Sequence, residues 1–393
     1  KDVDIGHGAT LVLAGSASLG TQTKGAVVMQ GGTMKLDNTG TNNSNRLRNA
    51  NASSTGLDTV GGGLFSLIGS FASNTLETIG RLQLGSGSNP RSGHLEINVT
   101  RSGASAATQL SIQSISRDNS EVTQFTTVDF SGSNAAGDPL TLGLAGDNPR
   151  ILFSSAPPLA NDLFRNTNVT SGTDSTAVGW ATVNGSAFAT HNAVTGVAAV
   201  GLDPTPLGSS FGSAAANIEI TGNFTATSSL GYQVTSMRIE PTAAGQQFTL
   251  ASTGHLKTNG LLLAGPHDYT IASTATGGYG ASGAGTGQGT RYVHVEEATL
   301  NLEASIAVAN LPLVKAGAGT LALTHTGNVS MTQPLVINGG AVRATSGSSL
   351  PGGEIRFRGG VVELMGGGTF SRNVGAGANT VNWEGVGALN AQM

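Results

Sequence analysis

Three stretches of the chain share one arrangement of apolar residues around a double glycine. Leu335-Val-Ile-Asn-Gly-Gly-Ala-Val-Arg-Ala344 is followed twenty residues later by Ile355-Arg-Phe-Arg-Gly-Gly-Val-Val-Glu-Leu364, and Val27-Val-Met-Gln-Gly-Gly-Thr-Met-Lys-Leu36 repeats the pattern near the other end. A strand, a glycine corner and a second strand, recurring after about 20 residues, match one rung of a β-solenoid. Glycine suits the corner because it reaches positive φ without steric cost. The spacing also fixes a register: Ile337 is expected beside Phe357, Val342 beside Val362 and Ala344 beside Leu364, all inward. Arg343 and Glu363 then meet on the outer face.

The same alternation of apolar and polar residues runs through Leu11–Leu13, Ile79–Leu84, Leu95–Val99, Leu110–Ile115, Ile218–Ile220 and Leu300–Leu302. Each run is of strand length. No apolar stripe of helical period persists for a dozen residues, so almost no α-helix is expected. The fold class expected is all-β: a single elongated right-handed parallel β-helix over residues 1–393, with loop insertions near 39–54, 156–176 and 276–290. At about 20 residues and roughly 4.8 Å per rung, this implies on the order of 15 to 20 turns.

Composition supports a thin core. Glycine contributes 59 of 393 residues, charged residues make up 11% and aromatics 5%. The regular apolar triplets argue against disorder, the other reading of such a composition. The net charge is -4 and the 19 basic residues are scattered, so no basic stripe follows a phosphate backbone and nucleic acid is not an expected partner. No apolar run approaches the roughly 20 residues that span a bilayer. With no cysteine, disulfides and thiolate metal sites are excluded. Lys1-Asp-Val-Asp4 resembles no signal peptide, so a leader has been removed or the chain is a segment of a longer one.

Leu313-Val-Lys-Ala-Gly-Ala-Gly-Thr-Leu-Ala-Leu323, followed by Leu335-Val-Ile-Asn-Gly-Gly-Ala-Val-Arg343, resembles the autotransporter-associated β-strand repeat of bacterial passenger domains. Leu350–Leu364 with Val381-Asn-Trp383 and Gly385 is similar to the segment that commonly follows it, and 75–84 and 179–189 are similar to other stretches of those proteins. The resemblance implies a secreted, cell-surface β-helix and no reaction. No transmembrane barrel follows, which leaves the export route and anchor open.

Parallel β-helices also carry polysaccharide lyases and hydrolases, which gather carboxylates on one face. Here Asp58, Glu77, Glu96, Asp118 and Asp129 are isolated in sequence, and the adjacent pair Glu296-Glu297 points to opposite faces of a strand. His294 shares a face with Glu296, but no further ligand follows at short spacing. His191 and His267-Asp268 lie in loop-like surroundings. The Gly283–Gly289 run lacks the lysine and helix of a phosphate loop, and Gly277–Ser282 lacks the acid of a calcium repeat. No catalytic, cofactor-binding or metal-ligating residue and no cofactor is therefore expected.

Two roles remain: a structural protein that builds a fibre, filament or surface and matrix layer, and an adhesin that binds a glycan or host surface through its loops. Tyr232, Tyr269, Tyr279, Tyr292, Trp180 and Trp383 are too dispersed for an obvious aromatic binding patch. Neither 1–20 nor 375–393 carries a capping helix, and 28–36 aligns with 356–364 without a gap. Head-to-tail partners are thus expected, as other copies or further repeats of a longer chain.

Overall fold

The computed structural model describes residues 2–19, 26–44, 46–47, 55–84, 91–117, 124–165, 178–203, 216–227, 229, 231–251, 253–280, 290–306, 311–365, 370–385 and 387–391. It is all-β, and the long sheets pair in parallel. Among the described residues there is no α-helix; Thr326–Ser330 and Gly347–Ser349 are short 3-10 turns. The chain divides into two compact units, Lys1–Thr170 with Trp180–Asn184 and Phe188–Val200, and Ser171–Gly179 with Gly185–Ala187 and Gly201–Met393.

In the first unit Val3–Gly6 and Thr10–Leu13 both pair with Val27–Asp37, which bends between them at Gly31, φ +85°. This is the double-glycine corner expected from the sequence. Thr55–Ile68, Arg91–Arg101 and Gln124–Asn134 stack on in parallel. Alternation aims one row inward: Met34, Phe65, Ile97 and Phe130 follow one another in register and are fully buried. A second stack, Thr75–Gln83, Thr108–Ser116 and Arg150–Phe153, runs alongside. That additional strand lengthens each step: Thr100 meets Ser133, 33 residues on, where the sequence led us to expect about 20. Two antiparallel hairpins, Leu159–Ala160 with Leu163–Phe164 and Ala187–Asn192 with Gly196–Ala199, come before and after Ala181–Val183, a further parallel strand that stacks on Gln124–Asn134. Phe164 stacks on Phe130 at 5.6 Å and meets Phe153 and Trp180 edge-on at 5.9 and 5.8 Å. The inward row itself continues from Phe130 to the buried Val183.

The second unit alternates its strands between two parallel sheets. Asn217–Ile220, Tyr232–Ile239, Leu256–Leu263, Arg291–Val295, Leu313–Ala316, Leu335–Ile337, Ile355–Phe357 and Thr380–Trp383 form one. Phe224–Ala226, Gln246–Leu250, Tyr269–Ser273, Thr299–Leu302, Thr320–Leu323, Gly340–Ala344, Gly360–Leu364 and Gly387–Ala391 form the other. Each coil gives one strand to each sheet. The expected register is present: Ile337 pairs with Phe357, Val342 with Val362 and Ala344 with Leu364, all buried. A third face is tied by Asn328, which accepts from Ile306 N at 2.8 Å and donates to Ser349 O at 2.9 Å. Of the three expected insertions, the described parts are 39–44 with 46–47, 156–165 and 276–280 with 290; the rest lies outside the described residues.

Candidate functional site

In the first unit two neighbouring strands carry a continuous polar ladder on the side away from the core, in which Thr127, Asp129 and Ser131 are buried. Leu95, Ile97 and Val99 point into the core, so His94, Glu96, Asn98 and Thr100 face the other way. The register sets these four beside Thr127, Asp129, Ser131 and Ser133. His94 Nδ1 lies 3.0 Å from Thr127 Oγ1. Asn98 Nδ2 donates to Ser131 Oγ at 2.8 Å, and Ser131 Oγ donates to Glu96 Oε1 at 3.1 Å. The hydroxyls of Thr100 and Ser133 are 2.9 Å apart. Thr182 Oγ1 donates to Asp129 Oδ1 at 2.8 Å. Glu96 and Asp129 are therefore neighbours, an adjacency that the isolation of both acids in the sequence hid. Each carboxylate accepts from a hydroxyl, and the side chains add lateral cross-links to the backbone ladder.

A second polar centre lies in the core of the second unit. The inward row reads Val293, Lys315, Ile337 and Phe357, so a lysine fills a slot that aliphatic residues fill in the coils on either side. It is tolerated because its stem packs as hydrocarbon while its tip reaches acceptors. Nζ donates to Ala316 O at 2.7 Å, Gly317 O at 2.8 Å and Gly339 O at 3.2 Å. These carbonyls belong to two successive coils, and they match the three donors of an ammonium. Burial pulls the Lys315 pKa down to about 7, against the pull of the Glu296 charge. The Glu296 carboxylate lies against the Gly317 corner, where a Cβ would come within 2.8 Å of Oε1. Lys315 was legible only as a cation at an apolar parity position.

A third buried charge holds the described part of the 39–54 segment. The Glu77 carboxylate accepts Arg46 N at 2.9 Å and Leu47 N at 3.0 Å. The Arg46 guanidinium donates to Ala17 O and Asp37 O, both at 2.8 Å, and to Thr41 O at 2.9 Å. Burial raises the Glu77 pKa, and the two N–H donors and Arg46 oppose that rise.

The remaining residues singled out in the sequence are dispersed. His294 is buried with Nε2 2.8 Å from Gly179 O, and Glu296 is half-buried while Glu297 is exposed. The His191 ring packs edge-on against Phe153 at 5.6 Å, and burial lowers its pKa. Asp268 Oδ1 accepts Thr299 N at 2.7 Å, at the start of a strand. Asp118 and Gly283–Gly289 lie outside the described residues, as do 281–282 of the 277–282 run. Trp180 and the four tyrosines are core residues, whereas Trp383 is 41% exposed. Among the described residues no group of three or more His, Asp or Glu is placed to hold a metal ion, and no helix is long and apolar enough to cross a membrane. No protein-family model, curated protein or solved structure matches this chain.

Proposed function

We propose that this chain is an extracellular structural protein of bacterial surfaces, a single right-handed parallel β-helix of the autotransporter-associated repeat type that serves in a fibre or surface layer. The observation that carries the reading is the coil-to-coil register of the second unit. One inward row continues from Ile218 through Met237, Leu261, Val293, Lys315, Ile337 and Phe357 to Trp383. Such a column gains burial and backbone pairing with every coil added. Its buried charges are spent on the fold: Lys315 bridges corner carbonyls and Glu77 holds loop backbone. Electron microscopy of the purified chain tests the role; fibres or sheets are expected, and dispersed single particles at all concentrations would count against it.

The half-buried side chains of His94, Asn98, Thr100 and Ser133 favour a second reading, an adhesin that meets sugar hydroxyls with side-chain amides and hydroxyls. Selective retention on a glycan array, lost in Asn98→Ala, would support it over the fibre. Among the described residues, the adjacency of Glu96 and Asp129 is the feature in favour of a polysaccharide-cleaving enzyme. Those two carboxyls sit side by side on adjacent strands, whereas glycoside cleavage needs them flanking a bond.

A further inference from the structure

The last coils of the two units differ in how far they are enclosed. In the first unit the inward row passes from Phe130 to Val183, and Phe164 stacks on Phe130 and meets Trp180 edge-on, all of them buried. The last coil of the second unit is less enclosed, although Phe370 packs partly buried against the same core. Trp383 stacks on Phe357 at 5.3 Å, yet it is 41% exposed, and Leu389, next in register to Val362, is 43% exposed. Strand Gly387–Ala391 pairs on one side only, with Gly360–Leu364. Thr380 and Val381 carry the two-residue strand Asn373–Val374, whose Val374 is 80% exposed. A two-residue strand of this kind blunts an edge, and it covers Thr380 and Val381 alone.

The first coil of the chain matches this end. Val3–Gly6 and Thr10–Leu13 begin seven residues apart, as do Thr380–Trp383 and Gly387–Ala391. Each of the first two strands pairs on one side only among the described residues, with Val27–Asp37. A single gapless register superposes inward positions of both coils: Val381 on Val3, Trp383 on Ile5 and Leu389 on Leu11. The outward positions then fall as Asn382 on Asp4, Ala388 on Thr10 and Asn390 on Val12, so no like charges oppose. A slip of one residue would place every inward side chain outward. Resting on the structural role proposed above, we infer that the coil 380–391 binds the coil 3–13 of a second copy in parallel, in that register. The incoming Val3–Gly6 displaces Asn373–Val374 from the edge, exchanging a two-residue bridge for a longer one. The contact joins different surfaces, so it propagates.

The chain has no cysteine, which makes engineered cross-links unambiguous. In the inferred register Val12 and Asn390 are exposed lateral neighbours on adjacent strands, within the Cα separation that a disulfide bridges. The variant Val12→Cys/Asn390→Cys is expected to give a ladder of multimers on non-reducing gels, collapsed by reductant. Val12→Cys/Ala388→Cys, with the second thiol two residues away on the same face, is expected to give at least tenfold less. Far-UV circular dichroism checks that both variants fold. Equal ladders would overturn the register. Fibres without the 12–390 cross-link would overturn this contact and leave the structural role standing. Folded protein that is monomeric at every concentration, with neither fibres nor ladder, would overturn both the second-copy occupant and the fibre role of this chain, and a covalently continuing coil would become the occupant.

Discussion

Arg343 Nε donates to Glu363 Oε2 at 2.9 Å, from one coil to the next and across 20 residues of sequence. The two Cα positions are register partners on the outer face, between inward pairs Val342–Val362 and Ala344–Leu364. Arg343 remains 40% exposed in its side chain, so solvent screens the pair. A double-mutant cycle with Arg343→Ala and Glu363→Ala is expected to return a coupling of about 0 to 1 kcal/mol, weakened by salt. A coupling of several kcal/mol would mean that the pair is far more enclosed than this geometry allows.

Phe357 lies between Ile337 and Trp383 in the inward row and is fully buried. Phe357→Ala is expected to cost about 3 to 5 kcal/mol in denaturant unfolding, through lost transfer energy and the cavity left beneath the Trp383 ring. A loss under about 1 kcal/mol would place Phe357 outside the core.

The two glycines of one corner should respond differently. Gly340 has φ +64°, and a Cβ there would sit 2.3 Å from Gly319 O. A Cβ on Gly339 meets nothing closer than 3.4 Å. Gly340→Ala is expected to lose at least about 2 kcal/mol more than Gly339→Ala, from backbone strain and the close approach of two coils. Equal melting temperatures for the two variants would contradict the corner geometry. Positive φ is not the general reason for glycine at these corners. Gly360 lacks it, and its place is fixed by Ile337 Cγ2, 2.5 Å from where a Cβ would be.

Lys315 gives stability a specific pH dependence. Its folded pKa, about 7, lies below the 10.5 of an unfolded chain. Between those values the unfolded chain binds the additional proton, so stability rises with pH, by up to about 1.4 kcal/mol per unit. Lys315→Met removes this rise and leaves the Ala316, Gly317 and Gly339 carbonyls without their Nζ donor. Urea unfolding from pH 6.5 to 10 should show the parent gaining on the variant as pH increases; parallel curves would refute the assignment.

The second unit was the more legible part because its coil corner carries a visible mark. The double glycines at 339–340 and 359–360 announce an offset, and alternation announces which side chains turn inward, so Ile337 and Phe357 could be paired from sequence. In the first unit a separate strand such as Thr75–Gln83 enters each step. No repeated motif marks the longer offset, and the adjacency of Glu96 and Asp129 stayed hidden with it. Lys315 was hidden for another reason. A lysine is ordinarily read as solvated, and its buried role depends on carbonyls that come together only when the corners at Gly317 and Gly339 stack.

Fibre diffraction from oriented assemblies of the 393-residue chain tests most directly whether coils stack end to end between copies. Strands paired in parallel lie about 4.8 Å apart along the direction of stacking. A meridional reflection at about 4.8 Å, along the fibre axis, is the predicted result. A 4.8 Å reflection on the equator, or fibres with no such spacing, would contradict stacking through the terminal coils.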